Sequence, residues 1–177
     1  RPFSRKLPLA LPAFYPMEGS AADPLGEEGR RVLNSDLSFT GVFEMLDPKG
    51  FLGNPAGGEV NYRQWSRVGA ELLITGGLKV AGDGIAVEMR LHDVAGQKLL
   101  VGRRYDGVAA DLPAMMHRFA DEVMLAITGE RSVFSSVIAF VGARQPEEGK
   151  PANKEIYLMN FDGSRARPLT DRRDISL

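Results

Sequence analysis

Cysteine is absent from this chain of 177 residues, and its absence excludes several kinds of chemistry at once. Disulfide frameworks, thiolate metal sites and cysteine nucleophiles all require it. Histidine is nearly as scarce, with His92 and His117 alone. A nucleophilic side chain needs a general base beside it, and neither histidine is tied to a candidate nucleophile. We therefore predict no catalytic residue and no enzymatic activity.

Long apolar runs are missing as well. The longest, LPLALPAF and VIAFV, fall far short of the roughly 20 residues that a membrane-spanning helix requires. The formal net charge of −1 gives no basic excess of the kind that nucleic-acid-binding domains carry. The sequence has no metal-ligand spacing, and GGLKVAGDG lacks the Gly-Lys-Ser/Thr ending of a phosphate-binding loop. We predict no membrane insertion, no nucleic-acid binding and no metal or cofactor.

The first 70 residues alternate between strands and helices. Residues 7–15, LPLALPAFY, are typical of a buried strand, and Pro8 and Pro12 place it near an edge or a bend. A helix follows, with Asp23 as its N-cap, Pro24 at its first position and Gly41 just after its end. Next come a short strand, VFEML, a loop over 47–60 that is rich in glycine and proline, and a short helix around 62–68.

A three-stranded antiparallel meander is predicted from residue 71 onward. The first strand, ELLITGGLKV, has consecutive apolar residues, which indicates an inner strand covered on both faces. The second, residues 85–94, alternates with period two and places Glu88, Arg90 and His92 on a solvent face. We therefore expect His92 to be a surface histidine. Gly82-Asp83-Gly84 and Ala95-Gly96 supply the turns that connect these strands to each other and to QKLLVGRRY.

A second main helix is predicted from Asp111 to Gly129, with an apolar stripe at helical spacing. His117 lies four residues before Asp121, so the two side chains can hydrogen-bond on one flank of the helix. We interpret this pair as a structural lock between residues of the same helix rather than as half of a catalytic dyad. Gly129 is expected to end the helix in a left-handed conformation.

The fold class that follows is α/β: a mixed β-sheet packed with two main helices over residues 1–131. From Ser132 the pattern changes to an all-β segment, which we assign to a second domain over 132–177. Its last part, EIYLMNFDGSRARPLT, is typical of two strands around a tight Asp162-Gly163 turn, and VIAFV is the expected neighbouring strand.

Five stretches follow one another along nearly the whole chain: PLALPAF, VLNSDLSFTGVFEMLD, WSRVGAELLITGGLKV, HRFADEVMLAITGERSVFSSVIAFV and EIYLMNFDGSRARPLT. In this order they resemble the TolB family, the periplasmic components of the Tol–Pal cell-envelope system of Gram-negative bacteria. The fourth stretch is the most specific, because it is similar to the family pattern HxxADExxxxLTGxxGxFxTxIAYV. The last is similar to the strand pair of a propeller repeat.

The resemblance implies an amino-terminal α/β domain followed by a six-bladed β-propeller, of which residues 132–177 would be an incomplete first blade. It also implies a periplasmic, monomeric, non-enzymatic adaptor that supports envelope integrity and cell division. In the family the propeller binds Pal, and the extreme amino-terminal strand binds TolA. The resemblance further implies structural roles for a set of family-motif residues, namely His117, Asp121, Gly129, Asp162 and Gly163.

Several features depart from the family pattern. The TolA-binding strand precedes PLALPAF, and only residues 1–6 stand before that stretch here, so we expect that strand and most of the Pal-binding propeller to be missing. No partner-contacting residue can then be assigned. Gly77 follows Gly76 where the family has one glycine, and Asn160 stands where an aspartate is usual.

Two other functions fit parts of the sequence. Propeller repeats of this type also occur beside the catalytic domains of serine peptidases, so the chain could be an accessory region of such an enzyme. A G-x-S-x-G elbow in the sequence after residue 177 would identify that case. The third hypothesis is a periplasmic sensor domain that binds a small ligand near the 47–60 loop.

Overall fold

The structure, a computed structural model, describes residues 5–17, 24–53, 58–143 and 154–170. The chain divides into two compact units, residues 1–132 and 133–177. Within its described ranges the first unit contains six strands and three helices: β1 (Leu7–Ala10), β2 (Tyr15–Pro16), α1 (Pro24–Phe39), β3 (Phe43–Met45), α2 (Tyr62–Arg67), β4 (Leu72–Ala81), β5 (Gly84–Asp93), β6 (Lys98–Val108) and α3 (Leu112–Thr128). Short 3₁₀ turns at Pro48–Gly50 and Ala109–Asp111 complete it.

The first unit is built on a mixed sheet in the order β3-β1-β4-β5-β6, with β2 also beside β4. Strand β1 runs parallel to β3 and β4, whereas β4, β5 and β6 form the predicted antiparallel meander. Helices α1 and α3 pack together on the sheet face that carries Ile74, Leu78, Val87, Met89 and Leu91, all of which are buried. The prediction of a mixed sheet with two main helices is thereby confirmed.

The single strand expected over residues 7–15 is two strands instead. The chain leaves the sheet after Ala10, bends through Pro12, and rejoins β4 at Tyr15, which pairs with Gly77. Nor is Pro8 at a sheet edge, because β1 lies between β3 and β4. Proline is tolerated there because pairing with β4 begins one residue later, at Leu9 and Leu72, so the missing N–H of Pro8 precedes the paired part of β4. The Pro8 carbonyl, on the same side, accepts a hydrogen bond from the Glu71 N–H (3.0 Å).

The two main helices start and stop near their predicted limits. Helix α1 begins at Pro24, and the predicted N-cap Asp23 lies outside the described residues. Helix α3 follows Asp111 and ends at Gly129, whose φ of +79° is left-handed and whose N–H donates to the Leu125 carbonyl (3.0 Å). A left-handed C-cap is strongly suited to glycine, which explains why α3 stops there.

Two aromatic side chains cross β4 at its consecutive glycines, on opposite faces. A Cβ atom built on Gly76 would lie 2.5 Å from Cδ1 of Phe14, and one built on Gly77 would lie 2.7 Å from the Tyr15 ring. Phe14 reaches Gly29 of α1 on the helix-covered face. The adjacent glycines therefore let the β1–β2 connection press one ring against each face of the strand, which accounts for the second glycine that departs from the family pattern.

The second unit is a three-stranded antiparallel sheet in the order β7-β8-β9, formed by β7 (Val137–Ala143), β8 (Lys154–Asn160) and β9 (Arg167–Pro168). The predicted pairing of VIAFV with EIYLMN is present as β7 and β8. Asp162 and Gly163 form the turn after β8, where Gly163 has φ +81° and donates its N–H to the Asn160 carbonyl (2.9 Å). The Asp162 carboxylate accepts from the Ser164 N–H (2.9 Å).

Replacing Gly163 by alanine is expected to destabilise the second unit by about 1–2 kcal/mol, because alanine resists the left-handed conformation that this turn requires. Faster amide hydrogen exchange in β7 and β8 would report the loss. Gly163→Asn is the matched control, since asparagine adopts that conformation more readily. Equal exchange in the alanine variant and the original chain would contradict the prediction.

Candidate functional site

A cavity of about 710 Å³ opens on the second face of the first sheet, the face that α1 and α3 do not cover. Two neighbouring strands form its floor: Thr75 of β4 is the register partner of Arg90 of β5, and His92 follows on the same face. Tyr15 and Tyr62 supply its aromatic side chains. Among the residues that the structure describes, the lining is Tyr15, Gly58, Glu59, Val60, Tyr62, Thr75, Arg90 and His92.

The local fold places these side chains together for identifiable reasons. Tyr15 reaches the cavity because Gly77 has no side chain in its way. Tyr62 opens α2, whose N-cap Asn61 accepts a hydrogen bond from the Gln64 N–H (3.3 Å). Beside the cavity, Trp65 of α2 packs in a small apolar cluster with Ala10, Ala70, Leu73 and Val94. That cluster fixes α2 to this face of the sheet.

Arg90 carries the positive charge of the cavity. Its Nη1 donates to the Tyr15 hydroxyl (3.3 Å), and its Nη2 donates to Glu88 (2.9 Å). The same Glu88 carboxylate also accepts from Arg104 (3.2 Å). Arg104 has a second carboxylate partner, Asp106 (3.3 Å), so two carboxylates serve the two guanidinium groups.

His92 is buried, with an exposed fraction of 5%, so the prediction of a surface histidine was wrong. Side chains alternate along β5 as predicted, but α2 covers the end of the second sheet face at which His92 lies. The Tyr62 hydroxyl lies 3.1 Å from Nδ1 of His92. The other ring nitrogen, Nε2, is buried and has no hydrogen-bond partner among the described residues. An apolar tryptophan on the neighbouring short helix was the signal that this face is covered.

Burial lowers the pKa of His92 below its ordinary value of 6.5, and the nearby charge of Arg90 lowers it further. In the folded chain the imidazole is therefore neutral at pH 7. The neutral ring shares one hydrogen bond with the Tyr62 hydroxyl through Nδ1, and its Nε2 is inaccessible to solvent. The lining of the cavity thus combines one guanidinium, that of Arg90, with the hydroxyl groups of Tyr15, Tyr62 and Thr75.

The lowered pKa of His92 predicts a pH-dependent stability. The unfolded histidine binds a proton below about pH 6.5 while the folded one does not, so stability is full above that pH and falls as the pH is lowered. The slope from this one group is at most about 1.4 kcal/mol per pH unit. We expect His92→Gln to show a smaller loss than the original chain between pH 7.5 and pH 5 in urea unfolding. Parallel pH profiles would contradict the prediction.

The second histidine joins the two main helices. His117 of α3 places its Nδ1 2.6 Å from a carboxylate oxygen of Asp36 on α1, and both side chains are buried. Asp121, its predicted neighbour on α3, is buried too. Sequence reasoning missed Asp36 because it is distant along the chain. The available signal was an aspartate directly before Leu37, on the apolar side of α1.

The other family-motif residues lie at backbone turns. Gly129 caps α3, while Asp162 and Gly163 form the β8–β9 turn of the second unit. None of the five lines the cavity. Within the described ranges, no group of three or more histidine, aspartate and glutamate side chains could hold a metal ion. The helices of the same ranges include none that is long and apolar enough to cross a membrane.

Comparison with known proteins gives consistent matches. Residues 1–100 match the family model described as the TolB amino-terminal domain. The Tol-Pal system protein TolB of Syntrophotalea carbinolica is 36% identical over 181 residues, which cover 99% of this chain and 41% of that protein. The Geobacter sulfurreducens protein of the same name is 34% identical over 177 residues, with coverages of 98% and 39%. The chain thus spans about two fifths of the length of these relatives.

A solved structure shows the same fold. The crystal structure of TolB from Acinetobacter baumannii superposes with a TM-score of 0.74 at 24% identity, covering 97% of this chain and 40% of that one. The superposition includes both the mixed sheet with its helices and the second sheet. The predicted fold class, an α/β domain followed by an incomplete first propeller blade, is confirmed.

Proposed function

Because the chain belongs to the TolB family, we propose that it is part of a non-enzymatic periplasmic adaptor of the Tol–Pal cell-envelope system. The observation that carries this proposal is the 36% identity to a Tol-Pal system protein over 99% of the chain. The match of residues 1–100 to the TolB amino-terminal domain supports it independently.

In this proposal the full-length protein links the inner-membrane Tol proteins to the outer membrane. Its extreme amino-terminal strand binds a TolA-like protein, and its propeller binds a Pal-like lipoprotein, so that the monomeric adaptor supports envelope integrity and cell division. Residues 1–131 form the amino-terminal domain and residues 132–177 begin the propeller. The division of the chain into units at residues 132 and 133 supports this boundary.

The five family-motif residues have structural roles in this proposal. His117 and Asp121 are buried on α3, and Gly129 ends that helix. Asp162 and Gly163 shape the turn between two strands of the first blade. These residues hold helix α3 and the turn after β8 in place, and none of the five lines the cavity.

The sheet offers a physical route for binding an extended segment. Its order ends at β3 on one side and at β6 on the other, and β6 spans Lys98–Val108. An edge strand can accept a further strand through backbone hydrogen bonds. The adaptor could thereby dock its own amino-terminal strand and release it to a partner. Deleting the residues before Leu7 in the full-length protein should lower the affinity for TolA, and unchanged affinity would contradict this route.

The adaptor role is tested by capture of partners. The full-length protein and the 177-residue chain are each incubated with a Pal-like and a TolA-like protein from the same source. We expect the full-length protein to retain both partners and the shorter chain to lose the Pal-like one, since most of the propeller lies outside it. Failure of the full-length protein to retain either partner would overturn the proposal.

A further inference from the structure

The cavity on the second sheet face has an unpaired hydroxyl group on its floor. Thr75 is 3% exposed and lines the cavity. Its hydroxyl makes no hydrogen bond with any described residue, yet it is not sealed from solvent as the Nε2 of His92 is. Folded proteins pair the great majority of their buried polar groups with protein atoms or with ordered water. The Thr75 hydroxyl is therefore available to a molecule that occupies the cavity.

The space above this hydroxyl has the size of a small-molecule site. Thr75 of β4 is the register partner of Arg90 of β5. Tyr15 crosses β4 on one side of this pair, and Tyr62 contacts His92 on the other. The cavity between them measures about 710 Å³, and small-molecule sites occupy about 300–1,000 Å³. A bound molecule would thus lie between two aromatic rings, over Thr75.

The charges around the cavity favour a neutral occupant. Arg90 is the cation of the described lining, and it donates to Glu88 behind it (2.9 Å). Glu59 is the anion of the same lining. Burial keeps the pKa of His92 below its ordinary value, so its ring adds no charge at pH 7. Removing an ion from water is costly unless the site supplies an unpaired opposite charge. This lining does not supply one, so a neutral molecule is favoured.

Hydroxyl groups make up most of the polar part of the lining, with one each from Tyr15, Tyr62 and Thr75. The Tyr15 hydroxyl accepts from Arg90 (3.3 Å), and its own proton has no acceptor among the described residues. A hydroxyl group donates one hydrogen bond and can accept two. The hydroxyl groups of a ligand can therefore pair with both Thr75 and Tyr15, while its C–H groups pack against the tyrosine rings.

We propose that this cavity binds a small neutral molecule with several hydroxyl groups, one of which pairs with the Thr75 hydroxyl. Two kinds of molecule have this chemistry, a ring sugar and a linear polyol. Residues 58–60 of the lining belong to the 47–60 loop, near which the sequence allowed a small-ligand site. The described lining lies within the first unit and the proposal does not use the adaptor role, so each can fail without the other.

The test follows the Thr75 methyl group of the 177-residue chain by ¹H–¹³C NMR during titration with three probes. Glucose is a ring sugar, sorbitol is a linear polyol, and tetrahydropyran is the sugar ring without hydroxyl groups. We expect a saturable shift with glucose or sorbitol at about 10 mM, tenfold above a Kd of about 1 mM, and none with tetrahydropyran. Tighter binding of glucose indicates a ring sugar, and equal or tighter binding of sorbitol indicates a linear polyol. Absence of a shift with both, or an equal shift with tetrahydropyran, overturns the proposal.

Thr75→Val tests the contact itself, because valine has nearly the same shape and no hydroxyl. Since the Thr75 hydroxyl has no partner among the described residues, its removal should leave the urea midpoint unchanged, yet it should weaken binding at least about threefold. Thr128→Val is the matched control. Its hydroxyl lies outside the cavity and donates to the Met124 carbonyl (2.7 Å), so this variant should lose stability and keep the original Kd. An unchanged Kd in Thr75→Val, or a lower urea midpoint in that variant, overturns the assignment.

Discussion

Replacing Asp36 by alanine is expected to lower the free energy of unfolding of the first unit by about 3–5 kcal/mol. The Asp36 carboxylate lies 2.6 Å from Nδ1 of His117 across the α1–α3 interface, and both side chains are about 5% exposed. Removing the Asp36 carboxylate leaves the His117 side chain buried but without this partner. The free-energy cost of such a truncation is much larger than the net contribution of the intact pair to stability.

Urea unfolding followed by Trp65 fluorescence measures the effect, because the single tryptophan lies in the first unit. Glu27→Ala is the matched control on the same helix: it removes a carboxylate that is 2.6 Å from Arg30 but largely exposed. A solvated pair of this kind contributes at most about 1 kcal/mol. Asp36→Asn keeps an acceptor for the histidine and should fall between the two. If Asp36→Ala costs no more than Glu27→Ala, the buried pair does not hold the helices together.

The second large effect is expected at Gly76. Alanine there would place its Cβ 2.5 Å from Cδ1 and 2.8 Å from Cγ of Phe14. Cγ is the root of the ring and cannot swing away as a flexible chain end would, and Gly29 of α1 limits the ring on its far side. Overpacking of this kind costs about 1–3 kcal/mol, so Gly76→Ala should unfold at clearly lower urea.

Two further variants test the cause of that loss. Gly50→Ala is the control, since a Cβ atom there meets nothing within 4 Å, and its stability should change by no more than about 0.5 kcal/mol. In a Phe14→Ala background the ring is gone, so Gly76→Ala should cost less than it does in the original chain. Additive costs would mean that the Phe14 ring is not what Gly76 accommodates.

Local chemistry made the helices and the meander predictable. Pro24 and Gly129 mark helix limits through backbone properties of single residues, and both limits were found where expected. The period-two pattern from Ile85 to Leu91 depends only on neighbours along one strand, and these side chains are buried as predicted. Asp162-Gly163 fixed the hairpin of the second unit for the same reason.

The features that escaped prediction depend on residues far apart in the chain. Helix α2 covers the face of β5 on which His92 was predicted to be exposed to solvent, and the sequence of β5 alone does not indicate that contact. Asp36 could not be matched to His117 without knowing that α1 and α3 are adjacent. The break between β1 and β2 follows from two aromatic rings that straddle β4 at Gly76 and Gly77. The residues that line the cavity come from these same distant segments, so the sequence alone did not predict that they lie together.

The central position of β1 has a consequence for how the chain acquires its structure. Leu9 is the register partner of Met45 in β3 and of Leu72 in β4, so both neighbours of β1 are distant from it in sequence. Strands β4, β5 and β6, in contrast, pair with neighbours to which short turns connect them. Pairings between distant residues form slowly, because the intervening chain must first be closed into a loop. We expect the meander to form early and β1 to enter late. During synthesis β1 is made first, yet its second neighbour appears more than sixty residues later. The strand therefore spends that interval with an unpaired apolar edge, the state in which a nascent chain most needs protection from aggregation.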